Sequence, residues 1–194
     1  MYEVIGGLQS RTFRVLWMLE ELGEGYTHLP EKTHSELVLS LNPSGKIPIM
    51  REGDAVLTDS TAIITYLADK HGQLTHPAGT IARAHQDGLT QLVLDEIDAV
   101  LWTAARHTFA LPEERRVPEV KDSLRWEFER NVGRLSDRLE GPFLMGDMMT
   151  VPDIILAHCL NWAYSAKFAY EQENLLAYAK AMRGRDAFKR ALGT

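Results

Sequence analysis

The sequence predicts a small α/β domain over residues 1–72, a linker over 73–80 and an all-α bundle over 81–194. Three observations predict it. Short apolar runs alternate with helical patterns up to Gly72, whereas beyond Pro77 every apolar pattern has the helical period. The composition, 194 residues with 45% hydrophobic and 25% charged, is that of a globular chain. A chain of this length buries enough apolar surface to fold without a metal or a disulfide.

Tyr2-Glu3-Val4-Ile5 reads as a strand closed by Gly6-Gly7. A helix from Arg11 to Leu22 follows, with Val15, Leu16, Leu19 and Leu22 at helical spacing and Gly23 as its stop. Tyr26 to Leu29 is a second strand, and Ser35 to Leu39 a short helix. Ile49–Glu52 and Ala55–Thr58 flank Gly53-Asp54, a two-residue hairpin connection. Ser60 to Lys70 is helical again, with Ala62, Ile63, Tyr66 and Leu67 on one face. Past the linker, one long helix is expected from Ile81 to about His107, ended by Leu111-Pro112, and another from Glu119 to Leu139. Val151 to about Lys167 is almost wholly apolar and should run through the middle of a bundle. Leu175 to Met182 and a short final piece complete the chain.

Charge and cysteine content narrow the function. Lys plus Arg is 21 against 27 Asp plus Glu, a net charge of −6. A nucleic-acid or membrane-surface binder usually carries a basic field instead, so no nucleic-acid or membrane partner is expected. No leader follows Met1, and no apolar run reaches the roughly 20 residues of a membrane span. Cys159 is the single cysteine, which disfavours a thiolate metal site and points to a reducing, cytoplasmic setting. The seven histidines show no metal spacing, so no metal is expected.

Four local patterns carry more information. Thr150-Val151-Pro152-Asp153 has the spacing of a capping box, with Met149 and Ile154 at the staple positions, so Asp153 is expected to be structural rather than catalytic. Asn42-Pro43-Ser44-Gly45-Lys46-Ile47-Pro48 enters a strand through a proline, which would present the Ile47 main chain outward if the Ile47–Pro48 bond is cis. Asp59-Ser60 opens a helix: Ser60 reads either as its N-cap or as part of an anion site made by free N–H groups and the dipole. Ser10 stands before the first helix, either as a cap or as a hydroxyl placed to donate to an anionic sulfur.

These positions, together with the domain order, resemble the glutathione S-transferase family, which implies a thioredoxin-like fold for the α/β domain of residues 1–72. The resemblance rests on Asn42-Pro43-x-Gly45-x-Ile47-Pro48, Asp59-Ser60-x-Ala62-Ile63 and Gly146-Asp147-x-x-Thr150-x-x-Asp153 in order. Arg11 to Trp17 is similar to the first helix of bacterial and fungal members with serine at the active site. The resemblance implies that Ser10 bonds the glutathione thiol. It implies that Pro48 is a cis-proline, that the Ile47 main chain pairs with the cysteinyl backbone, and that Lys46 meets the glycine carboxylate. Ser60 would hold the γ-glutamyl carboxylate and Asp59 its ammonium. Phe13, Trp102, Arg106 and His107 are candidates for the wall facing a small electrophile, with core or surface roles as their alternative. The family pattern departs at Gly45, where some serine-type members carry a histidine; no cysteine stands near Ser10, which disfavours disulfide exchange.

The implied activity is glutathione transfer in detoxification by a homodimer. The alternatives are a non-catalytic glutathione-binding or structural module, or glutathione-dependent dehalogenation, isomerisation or peroxide reduction. A thiol with a pKa near 8.5 is only a few per cent ionised at pH 7. Lowering it by about 2 units needs roughly 2.7 kcal/mol, within reach of one hydroxyl bond to the anion plus a helix dipole.

Overall fold

The computed structural model describes residues 1–193. Its contacts divide the chain into two compact units, one of Met1–Thr80 with the residues from Met182 on, the other of Ile81–Ala181.

The first unit is built on four strands, β1 (Tyr2–Ile5), β2 (Tyr26–Leu29), β3 (Ile49–Glu52) and β4 (Ala55–Thr58), in the order β2-β1-β3-β4. β1 is parallel to β2 and antiparallel to β3, and β3 is antiparallel to β4. This mixed sheet with helices is the predicted thioredoxin-like class. Gly53 takes φ 57 at the β3–β4 turn, a value that a residue without Cβ adopts freely. α1 (Thr12–Leu22) joins the two parallel strands and ends on Gly23 in the left-handed conformation. It is more enclosed than an amphipathic surface helix, because Thr12 to Leu19 are all buried. α2 (Glu36–Leu41) starts on the Ser35 hydroxyl and buries Val38 against Ile5 and Ile49. α3 (Ser60–His71) carries Ile63, Ile64, Leu67 and Ala68 inward.

α9 (Asp186–Leu192) explains why α1 is so enclosed. Sequence reading groups this segment with the helical half, but it packs on α1 in the first unit. Phe188 sets its ring edge-on to Phe13 and Trp17, each at 4.9 Å between centroids. Arg185 grips Glu21 with a fork, Nε to Oε1 at 2.6 Å and Nη2 to Oε2 at 2.8 Å, and Arg190 Nε bonds Glu20 at 2.7 Å. Periodicity locates such a helix but carries no information on which apolar face it covers. Phe188→Leu keeps the apolar volume while losing both ring contacts, so a stability loss of about 1–2 kcal/mol is expected. Urea denaturation checks this, and an unchanged midpoint would refute the wedge.

The second unit is all helical, with α4 (Ile81–Leu92), α5 (Ala99–Ala105), α6 (Val120–Ser136), α7 (Val151–Ala166) and α8 (Glu173–Gly184, its last residues beyond the division). The expected single helix from Ile81 to His107 is instead interrupted by π-helical turns at Val93–Asp98 and Arg106–Ala110. One extra residue per turn barely disturbs an apolar pattern, so spacing cannot reveal it. The partners are visible in space: Asn131 from α6, 1% exposed, donates to Glu96 O at 2.8 Å, and Thr108 Oγ1 donates to Ala104 O at 2.7 Å.

α7 is the buried helix the sequence predicts, with ten of its residues from Val151 to Ala163 enclosed. Its start is held by Asp153. Oδ2 accepts the Thr150 N–H at 2.8 Å, while Oδ1 accepts the Leu144 N–H at 2.9 Å and the Tyr178 hydroxyl at 3.0 Å. Burial pushes the Asp153 carboxyl pKa up, against the pull of these donors. No helix among the described residues is long and apolar enough to cross a membrane.

Candidate functional site

The strand register gathers three of the sequence motifs. Ile5 pairs with Ile49, and Ile49 with Thr58, so one row of the sheet ends at all three residues. Gly6, Pro48 and Asp59 are the next residues beyond that row. The motifs at Ser10, Lys46–Pro48 and Asp59–Ser60 therefore leave the sheet at one end.

Gly6 shows how tightly the first two approach. Its φ is +141°, and a Cβ there would lie 2.2 Å from Thr12 Oγ1 and 3.0 Å from Ile47 Cβ. Only a glycine lets the chain bearing Ser10 and Thr12 come this close to Ile47. Gly6→Ala is expected to cost about 1–2 kcal/mol of stability and to weaken glutathione binding. Paired denaturation and calorimetric titration check both effects; wild-type values in both would show that the close approach is unimportant.

Ser10 is half-buried, and its hydroxyl is engaged on both sides. Oγ lies 2.7 Å from Gly7 O and 2.8 Å from Thr12 Oγ1 as donor, and accepts the Thr12 N–H at 3.1 Å. A hydroxyl has one proton, so it serves one acceptor at a time. Ser10 thus supports the start of α1 as a cap does, and Arg11 occupies the cap position by backbone conformation without contributing a side-chain bond.

The Ile47–Pro48 peptide is cis, the condition the sequence reading set for presenting the Ile47 main chain. Pro48 is buried, Ile47 half-buried and Lys46 exposed. Asn42 braces this turn, with Nδ2 donating to Lys46 O at 3.0 Å and Oδ1 accepting from the Ser44 N–H at 3.2 Å. A neighbour missed in the sequence is His34. Its N–H donates to Gly45 O at 2.9 Å, and its ring fills the space a Cβ on Gly45 would need, 2.3 Å from His34 Cδ2. An imidazole therefore stands beside the Lys46 turn although Gly45 itself has no side chain. Positive φ at both His34 (62°) and Gly45 (68°) makes the contact, and spacing gives no hint of it.

At the third motif the cap is Asp59, not Ser60. Asp59 takes φ 71°, and its Oδ1 accepts the Thr61 and Ala62 N–H groups at 2.9 and 3.0 Å. Oδ2 takes part in neither bond. Ser60 is the first residue of α3 and is 2% exposed, with Oγ accepting from Arg14 Nη1 at 3.4 Å. The dipole of α3 adds partial positive charge at this end.

The proposed electrophile residues fall in both units. Phe13 is a core residue, 5% exposed between Trp17 and Phe188, rather than part of an open wall. Trp102, Arg106 and His107 belong to the second unit. Trp102 is half-buried, Arg106 donates to Thr103 Oγ1 at 3.0 Å, and His107 Nδ1 accepts the Val117 N–H at 3.0 Å. Among the described residues, no group of three or more His, Cys, Asp or Glu is arranged to hold a metal.

The sequence model of the glutathione S-transferase N-terminal domain matches residues 10–70, the stretch that holds Ser10, Lys46, Ile47, Pro48, Asp59 and Ser60. Over that stretch the chain carries a glutathione S-transferase N-terminal domain. A glutathione S-transferase-like protein of Beauveria bassiana is 27% identical over 94% of this chain and 89% of its own length. A Dictyostelium discoideum protein bearing the name glutathione S-transferase alpha-2 is 28% identical over 71% of this chain, which spans only 61% of that relative. Elongation factor 1-gamma of Prunus avium is 26% identical over 80% of this chain and 38% of the factor. In fold, the chain is similar to the theta-class glutathione S-transferase of Xanthomonas axonopodis, crystallised with glutathione bound. The TM-score is 0.81 at 24% identity, over 100% of this chain and 97% of the other.

Proposed function

We propose that the protein is a serine-type glutathione transferase that ionises the glutathione thiol against the Ser10 hydroxyl. The observation that carries this reading is the convergence of the three motifs at one end of the sheet, with the Ser10 loop, cis-Pro48 and the start of α3 following one register row. The Ile47 main chain pairs with the cysteinyl backbone and Lys46 with the glycine carboxylate. Ser60 and the α3 dipole take the γ-glutamyl carboxylate, and Asp59 Oδ2 its ammonium. The thiol proton passes to water. The thiolate then forms a C–S bond to the electrophilic carbon, whose leaving group departs with the bonding pair. Ser10 donates a hydrogen bond throughout and forms no covalent bond. Trp102, Arg106 and His107 stay as candidates for the electrophile wall. The reading includes a cytoplasmic two-fold dimer, consistent with a single buried cysteine.

The partial match to elongation factor 1-gamma favours a second reading, a glutathione-binding module without turnover. Steady-state conjugation of an aryl halide, measured beside calorimetric glutathione binding, separates the two. Turnover dependent on glutathione supports the transferase; tight binding without turnover supports the module. Absence of binding would overturn both.

A further inference from the structure

Arg14 is a motif residue that the proposed chemistry leaves unused. It is the third residue of α1 and is 0% exposed, a rare setting for a guanidinium. Its Nη1 reaches Ser60 Oγ at 3.4 Å across the space between the first turns of α1 and α3. Arginine carries donors only and keeps its charge at all working pH values. Ser60 Oγ can therefore only accept in this bond, which leaves its own proton for another acceptor. Both partners are buried and the guanidinium can only donate, so the polarity of this long contact is fixed. Asp59 already occupies the Thr61 and Ala62 N–H groups, which makes the Ser60 hydroxyl the more important donor at this end of α3.

We infer that Arg14 is a positioning residue: from behind Ser60 it fixes that hydroxyl as a donor and makes the start of α3 selective for a carboxylate. The inference rests on the reading that Ser60 holds the γ-glutamyl carboxylate. It assigns to α1 a task at the carboxylate end of the tripeptide, while the loop that leads into the same helix carries Ser10 at the sulfur end.

Calorimetric titration with two ligands tests it: glutathione, and γ-aminobutyryl-cysteinyl-glycine, which lacks only the γ-glutamyl α-carboxylate. Wild type is expected to prefer glutathione by about tenfold or more. In Arg14→Met that preference should fall to within about threefold, because glutathione weakens while the analogue is unaffected. Arg14→Lys preserves the buried charge and most of the volume but lacks the planar fork, so it carries the test if the Met variant fails to fold, and it should lose much of the preference too. A purely structural arginine would weaken both ligands alike and keep the ratio. A wild-type ratio in the folded variants overturns the role of Arg14 and leaves the carboxylate subsite standing. No preference in wild type overturns the subsite itself, and the inference with it.

Discussion

Ser10→Ala is expected to raise the pKa of bound glutathione by about 0.5–1.5 units and to slow conjugation near pH 6.5 by up to about thirtyfold. The size follows from what the hydroxyl gives up. In the free protein its proton serves Gly7 O or Thr12 Oγ1, at 2.7 and 2.8 Å. Turning to a thiolate exchanges a neutral bond of about 1 kcal/mol for a charge-assisted one of about 1.5–3 kcal/mol, so only the difference stabilises the anion. Thr12 limits the loss on turning, because its own hydroxyl can then donate to Ser10 Oγ. The deficit has a defined pH dependence. The variant's thiol ionises later, so its acid limb moves to higher pH and the two rates converge above about pH 9, where both thiols are ionised. Ultraviolet thiolate titration of each complex, with pH–rate profiles, measures this. Coincident titration curves would remove Ser10 from the mechanism.

Asp153→Ala should be the most damaging substitution for stability, costing about 3–5 kcal/mol. It strands the Thr150 and Leu144 N–H groups in a region closed to water, while the Tyr178 hydroxyl keeps only the Asp153 main-chain carbonyl at 3.2 Å. Each orphaned buried donor costs about 1–3 kcal/mol, and the loss of the cap about 1 kcal/mol more, offset by relaxation around the smaller residue. Asp153→Asn should lie between, since its carbonyl oxygen can replace one carboxylate oxygen but its amide then opposes an N–H donor. Urea denaturation of both variants checks the order. A loss below about 1 kcal/mol for the alanine variant would show that water reaches these donors.

What the sequence made legible was what local patterns encode. The four strands were readable because Tyr2–Ile5 and Tyr26–Leu29 are short apolar runs and Gly53-Asp54 is a hairpin turn. Asp153 was recognisable as structural because a capping box is a matter of three residues' spacing. The site motifs were found, but their exact bonding was not. Asp59 rather than Ser60 caps α3, because a positive φ at Asp59 swings its carboxylate over the helix end. Composition cannot foresee that angle. Contacts between residues far apart in sequence were likewise hidden: Arg14 with Ser60, His34 with Gly45, and Phe188 with Trp17. The π-helical turns were hidden for the same kind of reason, since the Asn131 amide that donates to Glu96 O comes from a different helix.

The wedge made by Phe188 has a consequence for biosynthesis. Trp17 and Phe13 are made early, whereas the ring that shields them is joined to the chain some 170 residues later, as the separation of 164 between Glu21 and Arg185 illustrates. Throughout most of translation the first helix therefore lacks the ring that closes over Phe13 and Trp17.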